Sequence, residues 1–150
     1  MPNNPKKVVD PTYAKTQEYR EVLETIVTEG SCPFCPDNFR HHKNPILKTC
    51  GSWFITRNSW PYKNAAEHFL IISSIHKEEI TDLTADDLAV VHQLITWAKK
   101  EFSLAGGGLT LRFGETTHTG ATVCHLHFHL IVPKIDPNTG RAQVVNFPIG

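Results

Sequence analysis

Cys124-His125-Leu126-His127-Phe128-His129-Leu130-Ile131-Val132 sets three imidazoles at alternate positions of an apolar run. Strand side chains alternate between faces, so His125, His127 and His129 are expected on one face, rooted roughly 6.6 Å apart, with Leu126, Phe128 and Leu130 on the other. The cube of a frequency of nine histidines in 150 residues, taken over the whole chain, predicts about 0.03 such runs by chance. Three chemistries use groups that titrate near neutral pH in this way. Metal binding needs neutral imidazoles converging on one ion. General acid or base work needs one tuned ring. Nucleophilic catalysis needs a nitrogen whose lone pair is free and whose tautomer is fixed from the other side of the ring. The spacing does not choose among them.

A second cluster is Cys32-Pro33-Phe34-Cys35. A CxxC in a reducing compartment points to metal or redox chemistry. No βαβ pattern precedes it, which weighs against a redox pair. His41, His42 and Cys50 are local candidates for completing a metal shell with the same two thiols.

The elements that must carry these groups follow from periodicity. The first eleven residues hold three prolines and are expected to form a loose arm, with a single domain over 12–150. From Pro11 to Gly30, the residues Tyr19, Val22, Leu23, Ile26 and Val27 recur at helical spacing, and Gly30 is a stop. Residues 46–56 read as two short strands hinged at Cys50-Gly51-Ser52, with Trp53 and Ile55 on one face. His68 to Ser73 is a third strand, buried on both sides. Thr84 caps a long helix with Asp86 and Asp87 at its positive end and a stripe of Leu88, Val91, Ile95, Ala98 and Phe102. Leu109–Phe113 and Val123–Val132 are strands four and five. Grouped strands and two main helices predict an α+β domain with a largely antiparallel sheet of about five strands.

Composition narrows the function. The chain has 40% hydrophobic and 20% charged residues, and 15 basic side chains balance 15 acidic ones. That balance argues against a broad surface for a nucleic acid polymer or an anionic membrane. No apolar run reaches the length of a membrane span. The N-terminal stretch lacks a signal-peptide core, so a cytoplasmic protein is expected.

His125-Leu-His127-Phe-His129-Leu-Ile resembles the signature of the histidine triad (HIT) superfamily of nucleotidyl hydrolases and transferases. His68-Phe-Leu-Ile-Ile-Ser-Ser-Ile-His76 resembles the family's earlier strand, and Cys32-Pro-Phe-Cys35 the zinc-binding segment of many bacterial members. The resemblance implies the HIT-like fold and a middle histidine, here His127, that attacks the α-phosphorus of a nucleoside phosphate derivative to give a covalent nucleotidyl-histidine. Dinucleoside polyphosphates and nucleoside phosphoramidates are the substrates it implies. His129 would serve the phosphate or leaving group and His68 would support the site from the neighbouring strand. Asn58 would meet the ribose, Thr122 the phosphate segment, and His118 is a further candidate for the phosphate pocket, with a surface loop as its plainer reading. The same resemblance implies a structural Zn2+ held by Cys32, Cys35, His76 and His125, no catalytic cofactor, and a homodimer.

Two positions depart from the family pattern. Ala121 stands where a glutamine is usual and Gly114 where an asparagine is usual. Backbone N–H groups, Arg112, Thr116, Thr117 or His118 are the groups at hand to replace those amides. The competing readings are a nucleotide-binding or regulatory module that has lost turnover, and a metallohydrolase whose triad itself holds catalytic zinc.

Overall fold

A computed structural model describes residues 7–150. Five strands form one antiparallel sheet in the order β1-β2-β3-β5-β4, with β1 Ile46–Cys50, β2 Trp53–Arg57, β3 Ala65–Ser73, β4 Gly108–Leu111 and β5 His127–Pro133. Gly51, at φ 53°, makes the tight β1–β2 turn that an L side chain disfavours. Strands β3 and β5 lie at the centre and pair Leu70 with His129 and Ile72 with His127. Residues paired across an antiparallel ladder share a face. His127, His129, His68, Leu70, Ile72 and Phe54 therefore face one side, and Phe128, Leu130, Phe69, Ile71, Trp53 and Ile55 face the other.

The second face is covered by helix α2, Ala85–Glu101, through Val91, Leu94 and Ala98. Its buried line includes Asp87 but not Leu88, which is 51% exposed, so the stripe expected to begin at Leu88 runs one position earlier. The reason is polar. Asp87 accepts from Trp53 Nε1 at 2.9 Å, from Thr84 N at 2.9 Å and from Lys77 Nζ at 3.2 Å, which turns its side of the helix inward.

Helix α1, Gln17–Glu29, is capped by the Thr16 hydroxyl and ends at Gly30 with φ 71°. The expected start at Pro11 gives way to a separate 3-10 turn over Pro11–Tyr13, whose cap is Asp10. Six residues of the expected N-terminal arm lie outside the described residues. Farther along it, Val9 is 2% exposed, bridges Val123 and packs with Leu23 and Ile26.

That bridge explains where β5 begins. Asp10 N donates to Thr122 O at 2.8 Å, Cys124 N to Val8 O at 2.9 Å and Leu126 N to Lys77 O at 2.7 Å. Residues 123–126 are thus taken by other partners, and the sheet strand starts at His127 rather than at Val123. Strand β3 begins three residues earlier than expected, and β4 spans 108–111 rather than 109–113. Gly107 is required for packing, because a Cβ there would lie 2.5 Å from the Ile131 carbonyl. No helix among the described residues is long and apolar enough to cross a membrane.

Asp87 gives this arrangement a pH signature. Burial alone raises its pKa, but hydrogen bonds from Trp53, Thr84 and Lys77 outweigh burial and hold it at about 2, below the 3.8 of a free carboxyl. The stabilisation is complete above the unfolded pKa and is lost as pH falls through the folded one. Urea unfolding followed by tryptophan fluorescence should show stability falling between about pH 4 and pH 2. Asp87→Asn should flatten that limb and lower stability at pH 7 by roughly 1–3 kcal/mol. An unchanged acid limb in the variant refutes the assignment.

Candidate active site and metal cluster

The face of the sheet opposite α2 opens into a cleft of about 580 Å³ between the sheet, α1 and the loop that joins β2 to β3. His127 and His129 stand in its wall, their ring centroids 4.9 Å apart. His125 is turned away toward the cysteines, and Phe34 stands edge-on to both its ring and that of His127. The expected ladder on one face is thus split, because residue 125 precedes the regular strand. Two rings serve the cleft and one serves the metal cluster.

Backbone partners set the tautomers. A carbonyl only accepts, so the 2.6 Å contact of His127 Nδ1 with His125 O places the proton on Nδ1 and leaves the Nε2 lone pair free. Tyr62 N donates to His68 Nδ1 at 3.1 Å, so neutral His68 carries its proton on Nε2. That proton goes to His129 Nδ1 at 2.8 Å, which leaves His129 with an Nε2–H. This last group is buried and has no partner. It is a donor held ready in the wall of the cleft.

Burial is the first cause of the low basicity of these rings. His68 and His127 are each brought down to about 4, with the Arg112 charge acting in the same direction, and His129 is held well below the ordinary value. All three are neutral at pH 7. An unprotonated imidazole with its Nε2 lone pair exposed to a cleft is a competent nucleophile.

Cys32, Cys35, His76 and His125 place one ligand atom each within 4.8 Å of one another. His125 Nε2–H donates to Ser73 O at 2.7 Å and His76 Nε2–H to the Glu78 carboxylate at 2.8 Å. Both Nδ1 lone pairs therefore point inward, 3.2 Å apart. Each also faces a cysteine sulfur, so the space between the four atoms is lined by lone pairs once the thiols ionise, which is what a cation takes. A tetrahedral ion with bonds of about 2.0 Å to nitrogen and 2.3 Å to sulfur requires edges of roughly 3.3 Å between nitrogens and 3.6 Å from nitrogen to sulfur. Three of the four N···S separations are 3.4, 3.4 and 3.8 Å, and every pair of ligand atoms lies within 4.8 Å. Burial pushes the Cys32 thiol well up, with Cys35 adding to the effect, and a bound cation reverses that. The four residues fit a metal ion, and their outer nitrogens already have the partners that orient metal-bound histidines. His41 pairs instead with Glu29, His42 with Thr56 and Cys50 with Gln93.

The other expected site residues fare differently. Thr122 lines the cleft and hydrogen-bonds the Tyr19 hydroxyl at 2.6 Å. Asn58 also lines it, but its amide oxygen takes Trp60 N–H at 2.9 Å and its nitrogen sits 3.3 Å from His68 Nε2. His118 lies on a one-turn helix, Thr116–Thr119, with its side chain 81% exposed and outside the cleft lining, as a surface residue beside Glu115. Thr116 is buried against Asp10 and Thr117 is exposed. Of the side chains at hand to replace the two missing amides, Arg112 alone lines the cleft. The sequence offers Trp60, near Asn58, as a residue that could line a nucleoside pocket, with core or dimer interface as its plainer reading, and it does line the cleft. Sequence reasoning passes over the rest of the aromatic wall, in which Tyr19 stacks on Trp60 at 4.4 Å and Tyr62 stacks on His129 at 5.8 Å. Tyr19 looks like one more apolar residue of α1, and only the N-terminal bridge to Val123 brings it here.

Comparison with known proteins bears on the family and the fold. Residues 31–144 match the family described as "Scavenger mRNA decapping enzyme C-term binding". No curated protein sequence matches the chain. Among solved structures, a histidine triad nucleotide-binding protein from Candida albicans is 23% identical with a TM-score of 0.58, covering 80% of this chain and 85% of its own. A HIT family protein from Bacillus anthracis is 28% identical with a TM-score of 0.51, covering 76% and 80%. A Zn-bound histidine triad family protein from Mycobacterium smegmatis is 22% identical with a TM-score of 0.53, covering 74% and 80%. With the family model spanning both the cysteine pair and the triad, this chain belongs to the scavenger decapping C-terminal family of the histidine triad superfamily.

Proposed function

We propose that the chain is a nucleotidyl hydrolase or transferase that cleaves a nucleoside phosphate derivative through a covalent intermediate on His127. The observation that carries the reading is the His127 ring itself, with its Nδ1–H spent on the His125 carbonyl and its Nε2 left free at the cleft. In the first step the Nε2 lone pair bonds to the α-phosphorus, and the bond from phosphorus to the leaving group breaks with its electron pair. Positive charge gained by the ring is shared with the Nδ1–H and met by the His125 carbonyl. The His129 Nε2–H donates to the oxygen that gains charge, and His68 holds it in that tautomer. Water then attacks phosphorus and loses one proton to the departed leaving group or to solvent, and the P–N bond breaks with its electron pair returning to Nε2, which regenerates neutral imidazole.

Dinucleoside polyphosphates and nucleoside phosphoramidates are the substrate classes. The stacked Tyr19–Trp60 pair offers an aromatic wall for a base, and Asn58 and Thr122 stand beside it. The decapping enzyme in the family description supports a nucleotide substrate. A metallohydrolase reading is disfavoured by the arrangement, since His125 faces the cysteines while His127 and His129 face the cleft. The ion at the Cys32–Cys35–His76–His125 cluster is read as structural zinc, because a shell of four protein ligands leaves no open position for water. A second copy of the chain is the expected partner, docking along the β4 edge where Leu109 is 44% exposed, and the location is expected to be cytoplasmic.

Incubation with an α-labelled dinucleoside polyphosphate and a quench in base should leave a base-stable, acid-labile label on the protein. His127→Asn should abolish the label and lower turnover by roughly a thousandfold or more while nucleotide binding persists. If the label survives in that variant, or turnover proceeds with no label on rapid quench, the covalent reading fails. Metal analysis should give one zinc per chain. Chelation or Cys32→Ser should remove it and lower the melting temperature by on the order of 10 °C. If Cys32→Ser keeps a full equivalent of zinc, the cluster is misassigned.

A further inference from the structure

Arg112 has no role in the steps above, yet the sheet aims it at them. Strand β4 pairs Thr110 with His129 and Leu111 with Phe128. The next residue, Arg112, arrives at the level of His127. Alternation puts it on the Thr110 face, which is the face of His127 and His129. Its side chain lines the cleft, and no carboxylate among the described residues forms an ion pair with it. Lys15, also in the lining, sits over the Tyr62 ring at 4.5 Å and likewise has no acidic partner there. Two cations without counter-ions flank the neutral imidazoles.

What the guanidinium holds is a piece of this chain. Arg112 Nε and Nη2 donate to Pro148 O at 2.9 and 2.6 Å, Nη2 also reaches Tyr62 Oη at 3.1 Å, and the Phe147 ring lies 3.8 Å from the guanidinium. Phe147 also stands edge-on to His129 at 5.0 Å, the ring whose Nε2–H is buried without a partner. Residues 143–150 form no regular structure. Apart from the Arg112 contacts they are tied down by single bonds, from Gln143 N to Lys134 O at 2.8 Å, from Asn64 to Val144 O at 2.9 Å and from Gly150 N to Thr119 O at 3.0 Å, and Val144 and Ile149 are each 73% exposed. Such a strap is cheap to move.

Resting on the nucleotidyl-transfer reading, we infer that Arg112 binds the phosphate attacked at His127, and that the 147–148 strap occupies its guanidinium until that phosphate displaces it. The two donors that converge on one carbonyl oxygen are the fork that grips a phosphate oxygen. A carbonyl is a neutral acceptor and a phosphate an anionic one, so the exchange favours the ligand. The same movement lifts Phe147 from His129 and opens the second donor to the phosphate.

The test uses the full chain, with calorimetric binding of AMP, GMP and the corresponding nucleosides to wild type, Arg112→Ala, Arg112→Lys and Phe147→Ala. Arg112→Ala should weaken nucleotide binding by tenfold or more and leave nucleoside binding unchanged. Arg112→Lys should recover part of the loss. Phe147→Ala should tighten nucleotide binding several-fold, and this gain should vanish when combined with Arg112→Ala. The inference is overturned if Arg112→Ala binds the nucleotides like wild type, if it weakens nucleosides equally, if the Phe147→Ala gain persists without Arg112, or if wild type binds neither nucleotide. The labelling of His127 separates this from the parent reading. Arg112-dependent nucleotide binding with no label removes the enzymatic step and leaves the clamp, whereas label with Arg112-independent binding removes the clamp alone.

Discussion

Four backbone-to-ring and ring-to-ring hydrogen bonds decide what His68, His125, His127 and His129 can do. Ser73 O fixes His125, His125 O fixes His127, Tyr62 N fixes His68, and His68 fixes His129. An imidazole free in solution exchanges tautomers readily, and a ring with the wrong one offers a donor where a lone pair is needed. Carbonyls and amides cannot change role, so they impose theirs on the rings. The chain thereby presents one lone pair and one N–H to the same cleft without any carboxylate in the relay. Catalytic histidines are commonly oriented by an aspartate, but here a backbone carbonyl does so, and the imidazole gains no extra basicity from a neighbouring negative charge.

The electrostatics are consistent with that arrangement. Burial lowers the basicity of His68, His127 and His129, and Arg112 acts in the same direction on all three. A site that kept a positive imidazole would waste its nucleophile. A site without cations would leave the charge of a desolvated phosphate unmet. Placing the positive charge on Arg112 and Lys15, beside the rings rather than on them, serves both needs.

The parts of this architecture legible in the sequence are those written in short-range pattern. Alternation at 125–130 and the apolar run at 68–73 give the central strands, because a strand buried on one or both faces must show that pattern. The Cys32–Cys35 spacing gives half of a metal shell, and the resemblance supplies His76 and His125. What stays hidden depends on partners distant in the chain. Nothing local in Val123-Cys124-His125-Leu126 distinguishes it from a strand, and it leaves the sheet because Val8 and Lys77 take its backbone groups. Leu88 fits the helical stripe as well as Asp87 does, until Trp53 supplies a buried donor that selects the carboxylate. His118 lies near the triad in sequence but is carried outward by a single helical turn.

Residue 125 joins the two halves of the site. Its ring belongs to the cysteine cluster and its carbonyl receives the His127 proton. Because the ring Nε2 is also anchored on Ser73 at the end of β3, the peptide unit at 125 is held from three directions. A metal ion at the cluster would act on the cleft through that peptide and through Phe34, not through a ligand contact with substrate. The ordering runs one way. The cleft rings make no contact with the thiols, so disturbing His129 or His68 leaves the cluster intact, whereas loosening Cys32 or Cys35 frees the carbonyl that sets the His127 tautomer. Under the nucleotidyl-transfer reading, a closed metal shell two residues from His127 would position that ring through the 2.6 Å hydrogen bond to the His125 carbonyl and through Phe34, which lies between the two cysteines and edge-on to His127 at 4.9 Å.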